Sequence, residues 1–121
     1  MLLAEDILIN REIVCALLED TGLRIDTAEN GREAVEKAAG ADPPYDLILM
    51  DIQMPEVDGL EATRRIRALG VSNVNQVPIV AMTANAFRED VERCLEAGMQ
   101  EHIAKPIELP ALLNLLRKYL G

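Results

Sequence analysis

Two hydrophobic patterns alternate along the chain. The first is a short continuous apolar run closing on polar residues: MLLAED ends on Glu5 and Asp6, DLILMD on Asp51, VPIVAMTA carries Thr83, and EHIAK ends at Lys105-Pro106. Such runs, bounded by turn residues, predict strands, and DLILMD and VPIVAMTA are expected to be covered on both faces. LRIDTAE alternates instead, as a strand with one better-buried face does.

The second pattern is helical. Ile9 to Thr21 places Ile9, Ile13, Ala16 and Leu17 at helical spacing before Gly22 stops the segment, and the core is expected to need that face. Asn30 with Glu33 three residues on predicts a capping box, and Asp58-Gly59 with Glu61 repeats the signal. Asn85 is expected to cap a helix reaching about Ala97, with Gly98 as its stop. Pro110 suits the first turn of a last helix, to which Leu112, Leu113, Leu115, Leu116 and Leu120 give a broad apolar face. GADPPYD is a turn and GVSNVNQ a polar loop. Five β–α repeats with short connections predict a doubly wound α/β domain: a parallel sheet with helices on both faces, residues 1–121 forming one domain.

Composition narrows the core and the partners. Half of the 121 residues are hydrophobic, yet there is no Trp, one Phe and two Tyr, so the core must be aliphatic. A formal net charge of −9 disfavours direct binding to nucleic acid or an anionic membrane and favours a cation or a basic partner surface. Cys15 and Cys94 are too far apart for a zinc spacing or a disulfide framework, and are expected to be buried reduced thiols. No apolar run approaches the roughly 20 residues of a membrane span, and no basic leader precedes the first strand. The expectation is a soluble cytoplasmic domain, either a module of a longer chain or a very compact stand-alone protein.

In an open parallel sheet, ligands bind beyond the carboxyl ends of the strands, near the point where strand order reverses. Strand 1 delivers Glu5 and Asp6 there, strand 3 Asp51, strand 4 Thr83 and Ala84, strand 5 Lys105 and Pro106; strand 2 delivers Ala28, Glu29 and Asn30, which read as capping residues. Three carboxylates on one rim repel unless a cation sits among them, and an all-oxygen set of high charge favours Mg²⁺. A divalent ion, an ammonium and a hydroxyl around one carboxylate can stabilise a transferring phosphoryl group. The carboxylate itself can be the nucleophile, so Asp51 reads as a phosphoryl acceptor.

These residues resemble the response-regulator receiver domain of two-component signalling. The match runs over essentially the whole chain: the acidic pair Glu5-Asp6, LILMDIQMPEVDGLEA around Asp51, PIVAMTANA with Thr83, and EHIAKPI with Lys105-Pro106. The resemblance implies a flavodoxin-like (βα)5 fold with sheet order 2-1-3-4-5. It implies transfer of a phosphoryl group to Asp51 from a phosphohistidine on a histidine kinase or histidine phosphotransfer domain. Mg²⁺ would be held by Asp6, Asp51 and the backbone carbonyl of Gln53, with Glu5 acting through water. Thr83 and His102, the only histidine, take the positions of switch residues, and Gln53 and Asn85 flank the site where phosphoryl lifetime is tuned. A cis Lys105-Pro106 bond is implied as well. The first helix would carry the docking surface for the phosphodonor. The face of helix 4, strand 5 and helix 5 would carry the output or a homodimer contact.

The wording resembles receivers embedded in hybrid sensor histidine kinases, which would make the domain a cytoplasmic part of such a kinase. As an isolated domain it would not be an enzyme beyond assisting its own phosphorylation and dephosphorylation. One departure stands out: Ile7 and Leu8 occupy positions where the family carries polar residues. They leave open a degenerate receiver, a protein-interaction module without phosphotransfer. A dehalogenase-type phosphatase would need an acid where Gln53 stands. A flavin or nucleotide carrier would need a glycine-rich loop where EDILIN stands.

Overall fold

The strands form where both faces can be buried. β1 (Leu2–Ala4), β3 (Ile48–Asp51) and β4 (Ile79–Thr83) are buried at every position, whereas β2 (Asp26–Ala28) and β5 (Glu101–Ala104), at the two edges, are only partly so. In this computed structural model, residues 42–43, 70–75, 84–87, 106 and 121 and the side chains of residues 88–90 fall outside the described part. All pairings are parallel and the order is β2-β1-β3-β4-β5. Four helices cross between them, α1 (Leu8–Leu17), α2 (Gly31–Gly40), α3 (Gly59–Arg67) and α4 (Arg88–Ala97), and α5 (Leu109–Leu120) follows the last strand. The fold is the doubly wound sandwich that the alternation of patterns predicts, with the flavodoxin-like strand order that the resemblance implies.

Strand residues alternate between two cores. Leu2, Ala4, Ile48, Met50, Ile79 and Ala81 face α2, α3 and α4, where Ala34, Ala38 and Ala62 let the helices lie close. Leu3, Leu49, Val80, Met82 and Ile103 face α1 and α5, with Val14, Leu18, Leu112, Leu115 and Leu116 opposite. The N-cap arm of both predictions holds: Asn30 Oδ1 accepts from the Glu33 N–H at 2.8 Å and Asp58 Oδ1 from the Glu61 N–H at 2.8 Å, while the Glu33 carboxylate accepts from the Glu29 N–H rather than that of Asn30. Gly98 carries φ 108° just past α4. The Asn85 cap lies outside the described residues.

Two expectations need correcting. The first helix is shorter than Ile9 to Thr21: α1 ends at Leu17, and Glu19–Thr21 forms a separate 3₁₀ turn before Gly22 at φ 74°. Its core face is also a different one. Val14 and Leu18 are buried and Cys15 and Leu17 half-buried, while Ile9 and Ile13 are 59% and 46% exposed and Ala16 is exposed. The helix has apolar residues on more than one face, and the stripe that meets the sheet is the one the β1–α1 turn aims inward. Cys15 is accordingly only half-buried, whereas Cys94 is buried; neither is in a disulfide.

Candidate functional site

Sheet order reverses between β1 and β3, and the polar residues gather at that crevice. Glu5 follows β1 and Asp51 ends β3; these carboxylates are only 1% and 5% exposed. Lys105, one residue past β5, reaches across β4. Its Nζ lies 2.8 Å from Glu5 Oε2 and 3.2 Å from Asp51 Oδ2. Its own N–H donates to the Thr83 carbonyl at 2.8 Å, which fixes the root of the side chain beside β4. Thr83 is buried at the end of that strand.

The β3–α3 connection closes the near side. The Gln53 N–H donates to Asp51 Oδ1 at 3.4 Å, and the Gly59 N–H to the Ile52 carbonyl at 2.8 Å. Between them Glu56 holds φ 65°, with the Val57 N–H on the Pro55 carbonyl at 2.8 Å. Gly59 has to be glycine: a Cβ there would stand 2.1 Å from the Asp51 carbonyl oxygen. The start of α3 therefore lies directly against the backbone that carries Asp51.

Electrostatics set Glu5 apart from Asp51. Burial pushes the Asp51 carboxyl up, the neighbouring Glu5 charge pushes it further, and Lys105 only partly opposes them, leaving it at about 6. Burial also pushes Glu5 up, but the hydrogen bond and charge of Lys105 outweigh it, and the net direction is down. Lys105 is held above the ordinary lysine value, because its two carboxylate partners outweigh its own burial. The ammonium thus belongs chiefly to Glu5, the closer partner.

Carboxylate oxygens of Glu5, Asp6 and Asp51 all lie within 4.8 Å of one another. Glu5 has both oxygens engaged: Oε2 by Lys105, Oε1 by the Ile7 N–H at 3.3 Å and Asn10 Nδ2 at 3.5 Å. Asp6 Oδ1 is buried and has no hydrogen-bond partner among the described residues. A buried anionic oxygen without a donor is costly, and its place beside Asp51 suits a divalent cation bound through oxygen. The residues fit Mg²⁺, with Asp6 and Asp51 offering the open oxygens.

Over all 117 positions from residue 1 to 117 the chain matches the family model described as the response regulator receiver domain. It belongs to that family. The receiver domain's relatives include hybrid signal transduction histidine kinase B of Dictyostelium discoideum, 45% identical over 100% of this chain and 7% of that protein. The first curated relatives are far longer, and the chain spans 7%, 17% and 12% of their lengths. Among solved structures, the receiver domain of sensor histidine kinase PA1611 from Pseudomonas aeruginosa PAO1 superposes with a TM-score of 0.88 at 42% identity, covering 99% of this chain and 95% of that one. That structure has a magnesium ion coordinated in its active-site cleft. The receiver of Ssk1, crystallised with the histidine phosphotransfer protein Ypd1 of Saccharomyces cerevisiae, gives a TM-score of 0.88 at 32% identity over 98% and 86%.

Glu5, Asp6, Asp51 and Lys105 therefore meet as the sequence predicts, with Gln53 and Thr83 bordering them. His102 stands apart, exposed on edge strand β5 opposite Ala81, where it lines a groove of about 300 Å³ with Asn114 and Lys118 of α5. Ala84, Asn85, Pro106 and the geometry of the Lys105-Pro106 bond lie outside the described residues. The sequence reading missed Asn10 and Arg11, which reach back from α1 to Glu5. The available signal was Ile7: an apolar residue at a helix N-cap leaves the turn to be held by something else.

Proposed function

We propose that this receiver domain is a phospho-accepting switch in which Asp51 is the acceptor. Asp51 Oδ attacks the phosphorus of a partner's phosphohistidine; the P–O bond forms, the P–N bond breaks, and the imidazole leaves with a proton. Bound Mg²⁺ would supply charge neutralisation for the phosphoryl oxygens, with Asp6, Asp51 and the Gln53 carbonyl as its protein ligands and Glu5 behind them. Lys105 turns its ammonium from Asp51 toward the incoming oxygens while Glu5 keeps it anchored. Thr83, at the end of β4, offers its hydroxyl on the other side, and with His102 forms the switch that changes the α4–β5–α5 face. The observation that carries this reading is the Lys105 ammonium shared by Glu5 and Asp51 beside the Asp6 oxygen that has no hydrogen-bond partner among the described residues.

The phosphodonor is a histidine phosphotransfer domain or kinase. Ile7, Leu8, Ile9 and Ile13 are 48%, 60%, 59% and 46% exposed and form an apolar cap beside the site, suited to an apolar helix face of the donor. Origin within a cytoplasmic portion of a hybrid histidine kinase fits the small fraction of its relatives that the chain spans. The second reading, a degenerate receiver, is favoured by that same Ile7-Leu8 surface. Incubation with acetyl phosphate and Mg²⁺, read by intact-mass spectrometry, separates the two. One hydroxylamine-labile phosphoryl adduct that disappears in Asp51→Asn is expected; no adduct on the native chain leaves the degenerate reading.

A further inference from the structure

The turn between β1 and α1 must hold two acids beside a third, yet it lacks the usual means. Its N-cap residue is Ile7, which has no side-chain acceptor, and the first turn of α1 contains no acidic residue. Carboxylate oxygens within 4.8 Å of one another repel strongly in a buried setting. Among the described residues, Lys105 pairs with Glu5 and Asp51 and not with Asp6.

Support for the Asp6 side comes from one turn further along. Arg11 Nη1 donates to the Glu5 carbonyl at 2.6 Å, and that carbonyl belongs to the peptide linking Glu5 to Asp6. The Arg11 side chain is only 12% exposed, and its other nitrogen lies 3.6 Å from Glu29, after β2. Asn10 Nδ2 reaches Glu5 Oε1 at 3.5 Å, and the Glu5 N–H is tied to the Ala28 carbonyl at 3.0 Å. Rotation of the Glu5–Asp6 peptide would swing the Asp6 carboxylate, and Arg11 holds the carbonyl of that peptide. A charge-assisted bond to a carbonyl is among the stronger of its kind.

We infer that Arg11, seconded by Asn10, is a positioning residue for the divalent cation: it clamps the Glu5–Asp6 peptide and so aims the Asp6 carboxylate at Asp51. The inference rests on the phosphoryl-acceptor reading for its purpose, but its test reads the cation directly. Arg11→Met keeps the apolar stem and removes the donors; Arg11→Lys keeps one donor and the charge; Asn10→Ala removes the weaker link.

Isothermal titration calorimetry with Mg²⁺ on the full chain gives the affinity of each, and the Mg²⁺ dependence of acetyl phosphate loading gives an independent constant. Arg11→Met is expected to weaken Mg²⁺ binding about tenfold, equivalent to roughly 1.4 kcal/mol. Arg11→Lys should recover part of the loss, Asn10→Ala should lose about twofold to threefold, and the rate at saturating Mg²⁺ should fall less than the affinity does. If Arg11→Met does not fold, the Arg11→Lys and Asn10→Ala affinities carry the test. Affinities equal to the native one in every folded variant overturn the inference, as does a fall in the saturated rate with the Mg²⁺ constant unmoved. Failure of the native chain itself to bind Mg²⁺, with Asp6→Asn as the reference, overturns the underlying reading instead.

Discussion

Replacing Asp51 by Asn should make the metal-free protein more stable at neutral pH, although it removes the centre of the site. The reason is that the Asp51 carboxylate is buried beside Glu5 and is insufficiently compensated by a lysine that Glu5 holds more closely. Its rise from 3.8 to about 6 corresponds to roughly 3 kcal/mol against the ionised folded state. A carboxyl whose folded value is raised binds its proton more tightly when folded. The favourable part of its contribution is complete below about 3.8 and is lost as pH rises through about 6.

Asn is nearly isosteric and uncharged, but it forfeits one of the two Lys105 contacts, so a net gain of about 1–3 kcal/mol is expected above about pH 7. For a domain of this size that raises the melting temperature by about 3–10 °C. With no Trp and two Tyr in the chain, far-ultraviolet circular dichroism is the suitable probe. Melts of both proteins in chelator across about pH 4 to 8 should show the gap largest at the alkaline end, starting to shrink near 6, halved at about 5, midway between the folded and unfolded values, and mostly closed at about 4. Saturating Mg²⁺ should then reverse the order, because only the native chain gains from binding. An Asp51→Asn protein that melts below the native one above pH 7, or a gap that ignores pH, would refute the account of the site's charge.

Three further outcomes follow from the geometry. Lys105→Met should leave Glu5 and Asp51 facing each other without the ammonium, costing about 2–4 kcal/mol near neutral pH by urea unfolding, and the cost should shrink in acid as the carboxyls take up protons. Gly59→Ala should cost about 1–3 kcal/mol and lower Mg²⁺ affinity, since its Cβ would stand 2.1 Å from the Asp51 carbonyl; unchanged stability and affinity would show that the start of α3 can shift freely. Ile9→Ser with Ile13→Ser should change stability by no more than about 0.5 kcal/mol, while slowing phosphotransfer from a histidine phosphotransfer protein at least about tenfold relative to loading from acetyl phosphate; equal slowing of both would move the role of these residues from docking to folding.

What could be read in advance was local. Asn30 and Asp58 cap because an acceptor one turn before a glutamate has a nearby N–H to meet, and Asp51 ends its strand because the apolar run stops there. The face of α1 could not be read this way. LINREIVCAL places apolar residues around much of the helix, so periodicity alone does not choose between Ile9-Ile13 and Val14-Leu18. That choice is made by the angle at which the β1–α1 turn lays the helix on the sheet. Arg11 was hidden for a related reason: its partner is a backbone carbonyl, and carbonyls carry no mark in a sequence.

The sequence by itself determined the order of the elements, the aliphatic core, the caps of α2 and α3, and which residue stands at the end of each strand, because each depends on neighbours a few positions apart. The tertiary structure decided that Glu5, Asp51 and Lys105 meet. They come from three separate strands, and only the order β2-β1-β3-β4-β5 sets β1 beside β3. β5 lies two strands from β3, a gap of about 9–10 Å, which the long side chain of Lys105 and the Asp51 carboxylate reaching toward it span together. The same packing turned Ile7, Leu8, Ile9 and Ile13 outward, making a surface from residues whose chemistry alone would have assigned them to the interior.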